Sequence, residues 1–193
     1  LAAADILVGD VCPSGHLTDT FASSFAAYPS SANFAESRMY VEYQEDVFVG
    51  YRYFETIPGA AASVCYPFGY GLSYTNFAYR NAKLSSGKIA KDQSVTLTFD
   101  IANTGKMDGD EVAQVYIKNP NDPEGPIKAL KAFLRVHVKA GDSQEVNIEL
   151  APETFHSFND NTQTMEIRPG KYQILYGGSS DDKALQKLEL TIE

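Results

Sequence analysis

Seven short runs of alternating apolar and polar residues fill positions 76–193, and that alternation leaves little choice of fold. Phe77 and Tyr79 open the series. Val95, Leu97, Phe99 and Ile101 alternate with Thr96, Thr98 and Asp100. Ala113, Val115 and Ile117 form a third face. Leu130, Ala132, Leu134, Val136 and Val138 alternate with Lys131, Phe133, Arg135 and His137. Val146, Ile148 and Leu150 make a fifth run, Tyr172, Ile174 and Tyr176 a sixth, and Leu188, Leu190 and Ile192 a seventh. Period two with one wet face predicts antiparallel strands packed on one side. Turn signals fall between the runs at Asn103-Thr104-Gly105, Asn119-Pro120-Asn121-Asp122-Pro123, Ala140-Gly141-Asp142 and Arg168-Pro169-Gly170.

Seven short strands in so few residues predict an antiparallel β-sandwich of immunoglobulin or fibronectin type III shape over 76–193. Ala151–Phe155 predicts one helical turn, with Pro152 early, where its missing N–H costs least. Residues 1–65 read differently. Positions 1–75 hold fourteen of the twenty-three aromatics and eight acids against two bases. Ala2–Leu7 reads as a helix end feeding Gly9, residues 11–17 as a loop, and Val47–Phe54 as a strand or a short helix, with a helix through Gly50 favoured. No core there is large enough to fold alone, so this segment needs a partner surface to cover it. Between the two regions, Tyr66-Pro67-Phe68-Gly69-Tyr70-Gly71-Leu72-Ser73-Tyr74-Thr75 sets glycines and a proline among aromatics. It reads as a rigid junction over 66–75 that docks one domain on another.

Bulk properties exclude several classes. A net charge of -9 disfavours a nucleic-acid partner. No run of 18 apolar residues offers a membrane span. Leu1–Asp5 lacks the positive region of a signal peptide, and the residues assign no compartment. Cys12 and Cys65 make no disulfide framework; they read as two buried thiols, with a single bridge as the alternative. No Cys/His cluster has metal-site spacing, and no metal or other cofactor is expected.

Five motifs, in order, resemble family 3 glycoside hydrolases. Ala3-Ala4-Asp5-Ile6-Leu7-Val8-Gly9-Asp10-Val11-Cys12-Pro13-Ser14-Gly15-His16-Leu17-Thr18 is similar to the segment closing that family's α/β sandwich domain. Glu45–Phe54 resembles its E-G-I-x-V-G-Y-R-Y element, and Tyr66–Thr75 its F-P-F-G-x-G-L-S-Y-T junction. Asn103-Thr104-Gly105 with Gly109–Tyr116 resembles the N-T-G and G-x-E-V-x-Q-x-Y segment of its fibronectin type III-like domain, and Leu130–Val136 the L-x-G-F-x-R-V strand. Cys12, His16, Asp46 and Ala132 depart from the usual residues. The resemblance implies that 1–65 is an incomplete, C-terminal part of an α/β sandwich domain. It also implies a retaining β-glycosidase, β-glucosidase-like, whose remaining catalytic domains are this segment's partner and reach the carbohydrate substrate.

A retaining glycosidase needs two carboxyl groups flanking the scissile bond. In the family resembled, the nucleophile lies in a barrel domain and the acid/base residue upstream of the Gly9-Asp10 motif. No catalytic residue is therefore assigned here, and the segment alone is expected to be inactive. Other acids read as structural. Glu45 and Asp46 are adjacent and do not converge. Asp181-Asp182 reads as a solvated turn. Asp108, Asp110 and Glu111 do not match a calcium-loop spacing. Ser14 and Ser73 lack a nucleophile-elbow context. His16 and His156 read as loop histidines and His137 as outward-facing. Tyr40, Tyr43, Phe48, Tyr51, Tyr53 and Phe54 read as interdomain packing, with sugar stacking as the rival, and Arg52 as an ion-pair partner across domains. The alternative function is a stand-alone carbohydrate-binding or adhesive module.

Overall fold

The alternating runs all become strands. The computed structural model describes residues 2–119 and 121–193; Leu1 and Pro120, the latter inside a turn signal, lie outside the described residues. In chain order the elements are α1 (Ala2–Leu7), β1 (Phe21–Ala22), α2 (Tyr51–Thr56), β2 (Val64–Tyr66), β3 (Phe77–Leu84), β4 (Lys88–Ile89), β5 (Val95–Asn103), β6 (Gly109–Lys118), β7 (Ala129–Val138), β8 (Ser143–Leu150), β9 (Ser157–Asn159), β10 (Thr164–Glu166), β11 (Gly170–Gly177) and β12 (Leu185–Ile192). Pro152–Phe155 is the expected single turn, of 3-10 type.

Two sheets face each other. One has the order β4-β12-β11-β6-β7, the other β3-β5-β8. All pairings are antiparallel except the short β4 beside β12. Leu97, Phe99 and Ile101 of β5 meet Val115, Ile174 and Leu190 of the other sheet, and all are essentially solvent-free. Phe99 stacks on Tyr176 with ring centres 5.3 Å apart. Burying each such side chain contributes about 1.5–3 kcal/mol. At the start of β11 the Tyr172 hydroxyl donates to the Arg168 carbonyl at 2.6 Å. This is the tyrosine corner of immunoglobulin-like sandwiches, which locks a loop to the next strand.

Several expectations need correction. One wet face per strand fails on β6, where Gln114 and Tyr116 are buried as thoroughly as Val115. The short helix does not run through Gly50 but begins after it, because Gly50 (φ +59) has left helical geometry. Both cysteines are free; Cys65 is exposed and Cys12 half-buried. The pairs β1–β2 and β9–β10 are additional ladders. Among the described residues no helix is long and apolar enough to cross a membrane.

Candidate functional site

The buried outer face of β6 is where the N-terminal segment and the junction land. Tyr116 lies under Tyr51, ring centres 5.7 Å apart and edge to face, and Tyr51 in turn packs on Phe68 at 5.0 Å. Tyr116, Tyr51 and Leu175 form a second apolar cluster, with Phe68 and Leu130 packed against it. Burial pushes the Tyr116 hydroxyl far above the ordinary tyrosine range. The neutral hydroxyl donates to the Gln114 side-chain oxygen, and the Gln114 nitrogen donates to the Gly178 carbonyl at 2.9 Å.

The junction is stitched down by backbone. Leu17 and Gly69–Tyr70 exchange two bonds of 2.8 Å, and the Ser180 amide donates to the Phe68 carbonyl at 2.9 Å. Gly69 has φ +80, and a Cβ there would overlap the Gln114 carboxamide. Glycine is required on both counts. His16, one of the loop histidines, bonds the Gly69 carbonyl through Nδ1 at 2.6 Å. At the end of the junction Thr75 donates to the Asn103 side-chain oxygen, and the Asn103 nitrogen donates to the Met107 and Val138 carbonyls at 2.8 and 2.9 Å.

Helix α2 is pinned by two further devices. The Leu130 amide donates to the Tyr51 hydroxyl at 2.7 Å, and the Ile127 amide to Thr56 at 2.9 Å. Lys128, 2% exposed, pairs with Glu55 at 3.1 Å and Asp182 at 2.6 Å, and donates to the Ser180 carbonyl. Burial pushes the Glu55 carboxyl above its ordinary value, against the pull of Lys128.

The acids singled out in the sequence fall in separate local settings. Asp181 caps a turn by accepting the Lys183 amide, while Asp182 belongs to the Lys128 cluster. Asp108 accepts the Ala140 amide. Asp110 is held by His137 at 2.7 Å and by Arg135; despite its partial burial, these partners pull it below the usual carboxylate range. Glu111 points the other way and accepts from the Tyr79 hydroxyl at 2.9 Å. Burial pushes it up, opposed by Tyr79 and His16. Glu45 is half-buried and Asp46 exposed. Ser14 bonds Arg135 and Ser73 lies 3.2 Å from the Cys12 sulfur, neither beside a histidine base. Among the described residues no three His, Cys, Asp or Glu side chains gather to hold a metal. Of the six aromatics singled out, Tyr51 and Phe54 are buried, Phe48 and Tyr53 half-buried, and Tyr40 and Tyr43 exposed. The exposed pair lines a cleft with Phe34 and Val41, and Phe34 packs edge-on against Phe25.

Residues 111–180 match the family model of the fibronectin type III-like domain. Over its whole length the chain is 40% identical to beta-glucosidase A of Butyrivibrio fibrisolvens, covering 25% of that protein. Over 99% of its length it is 38% identical to xylan 1,4-beta-xylosidase of Xylanibacter ruminicola, covering 20%. The crystal structure of Bifidobacterium adolescentis GH3 beta-glucosidase superposes on 98% of the chain with a TM-score of 0.86 at 34% identity, and 27% of that enzyme is covered. In sequence and fold the chain matches one segment of glycoside hydrolase family 3 enzymes. It spans about a quarter of the length of the relatives it matches.

The family 3 motifs have physical reasons in this chain. Gln114 and Tyr116 of the G-x-E-V-x-Q-x-Y segment sit beneath the junction. Asn103 of N-T-G is the hub that fastens Thr75 to two strands. Lys128 and Tyr172 carried no motif. A lysine in a turn looks solvated, and only the position of Tyr172 just after Arg168-Pro169-Gly170 hinted at a corner.

Proposed function

We propose that this chain is the C-terminal structural portion of a retaining β-glycosidase that hydrolyses terminal β-linked glucose. Residues 1–65 are the C-terminal part of the α/β sandwich domain, 66–75 the junction, and 76–193 the fibronectin type III-like domain. The catalytic carboxylates lie in the domains outside this chain, which are its partner and carry the carbohydrate. The observation that carries this reading is the aromatic surface. In positions 2–66 only Thr20, Tyr51 and Phe54 are buried, while Phe34, Met39, Val41 and Tyr43 each stay more than 70% exposed. A segment with so little core of its own is built to be covered on its free side. Asp110, Glu111 and Asp182 are engaged with local partners instead. A stand-alone binding module is not favoured, because the relatives matched over the whole chain are all much larger enzymes.

The test is reconstitution. The 193-residue chain alone should give no turnover of an aryl β-glucoside. Mixed or co-expressed with the remaining domains it should restore their activity and raise their melting temperature. Turnover by the chain alone would refute the assignment.

A further inference from the structure

A groove of about 630 Å³ opens beside α2, walled by Phe48, Phe155, Phe158 and Met165 and crossed by two cations, Arg52 and Lys131. That size suits a small ligand. Lys131 reaches it because of a defect in the sheet. The β6–β7 register runs Val115 to Ala132 and then Tyr116 to Leu130, so Lys131 is the extra residue of a β-bulge. Bulges re-aim side chains, and they recur next to functional sites. Here the amide of the preceding residue, Leu130, bonds Tyr51, the helix neighbour of Arg52. One local arrangement thus brings both cations to the groove.

Neither cation is neutralised. Among the described residues no carboxylate comes within 4.0 Å of Arg52 or Lys131. Among the described residues the Lys131 ammonium makes one side-chain bond, a long one of 3.5 Å donated to the His156 carbonyl. Four acids line the same groove, but Asp122 is paired with Arg168, and Asp46, Glu124 and Asp160 stay out of contact with the pair. Partial desolvation against the wall and then the adjacent guanidinium hold the Lys131 ammonium below the usual lysine range, although the side chain stays in contact with water. Two further polar atoms at the groove, Asn119 Nδ2 and Ser157 Oγ, are buried with no hydrogen-bond partner among the described residues. Buried polar groups are nearly always bonded, so these two atoms are free to bond a water or a ligand in the groove.

We propose that Arg52 and Lys131 form a carboxylate-binding site, with Asn119 and Ser157 supplying hydrogen bonds to the rest of the bound group. Arg presents a fork that matches a carboxylate, and Lys adds a point charge. The apolar walls suit the faces of a sugar ring, so an acidic sugar fits. An Asp or Glu side chain from the rest of the enzyme carries the same chemistry. That second source rests on the proposed function; the site itself does not.

The probe is sodium glucuronate against glucose, titrated into the 193-residue chain at constant ionic strength. Glucuronate should saturate and glucose should not. Arg52→Gln and Lys131→Gln should each weaken glucuronate about tenfold, the loss of one charge-assisted bond. Lys131 is exposed, so its variant reports on the site without threatening the fold. In the full-length enzyme, continued glucuronate binding would identify a free acidic sugar as the occupant. Exclusion of glucuronate there, with Arg52→Gln lowering the melting temperature of the enzyme but not of the chain, would identify a side chain of the other domains. If glucuronate and glucose behave alike on the chain, or neither substitution changes glucuronate binding, the site is overturned. Failure of the chain to associate with the other domains would overturn only the proposed function.

Discussion

The Tyr51 hydroxyl takes the amide of Leu130 at 2.7 Å, one residue before the bulge in β7. The same tyrosine ring lies between Phe68 of the junction and Tyr116 of β6. One side chain therefore fastens helix, linker and sheet together. The sandwich does not merely follow the N-terminal segment; it holds it in a set orientation.

Tyr51→Phe keeps the ring and removes the acceptor. It leaves the Leu130 amide without its partner and should destabilise the chain by about 1–3 kcal/mol. Urea denaturation checks this. The midpoint should fall with the slope unchanged, since the packing is retained.

Gly69→Ala should cost about 1–3 kcal/mol, from the strained φ and from displacing the Gln114 carboxamide. A Cβ on Gly87 would meet nothing within 4 Å. Gly87→Ala should stay within about 0.5 kcal/mol of the parent. Thermal melts of the two variants side by side separate a steric role from a general loss of glycine.

Lys128→Met strands the buried Glu55 carboxylate. The expected cost is roughly 3–5 kcal/mol, as for one broken half of a buried ion pair. Adding Glu55→Gln should recover most of it, while adding Asp182→Asn should not, because Asp182 is 83% exposed. A double-mutant cycle measured by denaturation gives the coupling.

Glu111 gives a pH signature. Burial raises its pKa above the ordinary 4.5 in the folded chain. The folded state then holds the proton more tightly than the unfolded state, and this carboxyl's contribution to stability declines as pH rises from about 4.5. Glu111→Gln should match the parent at pH 4 and become relatively more stable above it. Asp110 acts in the opposite sense: its lowered pKa gives stability that is lost as pH falls through the acid range. The measured quantity is therefore the difference between variant and parent across pH. A difference that stays flat from pH 4 to 7 counts against the assignment.

The sandwich was legible because its strands obey a single rule. Val95, Leu97, Phe99 and Ile101 face inward, and every second residue faces out. Gln114 and Tyr116 broke that rule, since the cover over their side of β6 comes from residues 45 to 65 positions earlier, which no local period can register. The start of α2 was misplaced by the apolar run Val47–Val49, which continues the helical pattern that Gly50 interrupts. Ladders as short as β1 and β4, two residues each, leave too little sequence for a pattern. The docking residues of the site were legible as motifs, while their reasons were not. The partnerless state of Arg52 and Lys131 depends on a bulge that appears only when two strands are set side by side.

The hydroxyls of α2 have one more effect. Tyr51 takes up the amide of Leu130 at the beginning of β7, a strand with one sheet neighbour among the described residues, and Thr56 that of Ile127 just before it. A second polypeptide seeking to add itself there, as in fibril growth, finds those donors already spoken for. Loosening this helix would do more than weaken the chain: it would uncover a template for aggregation.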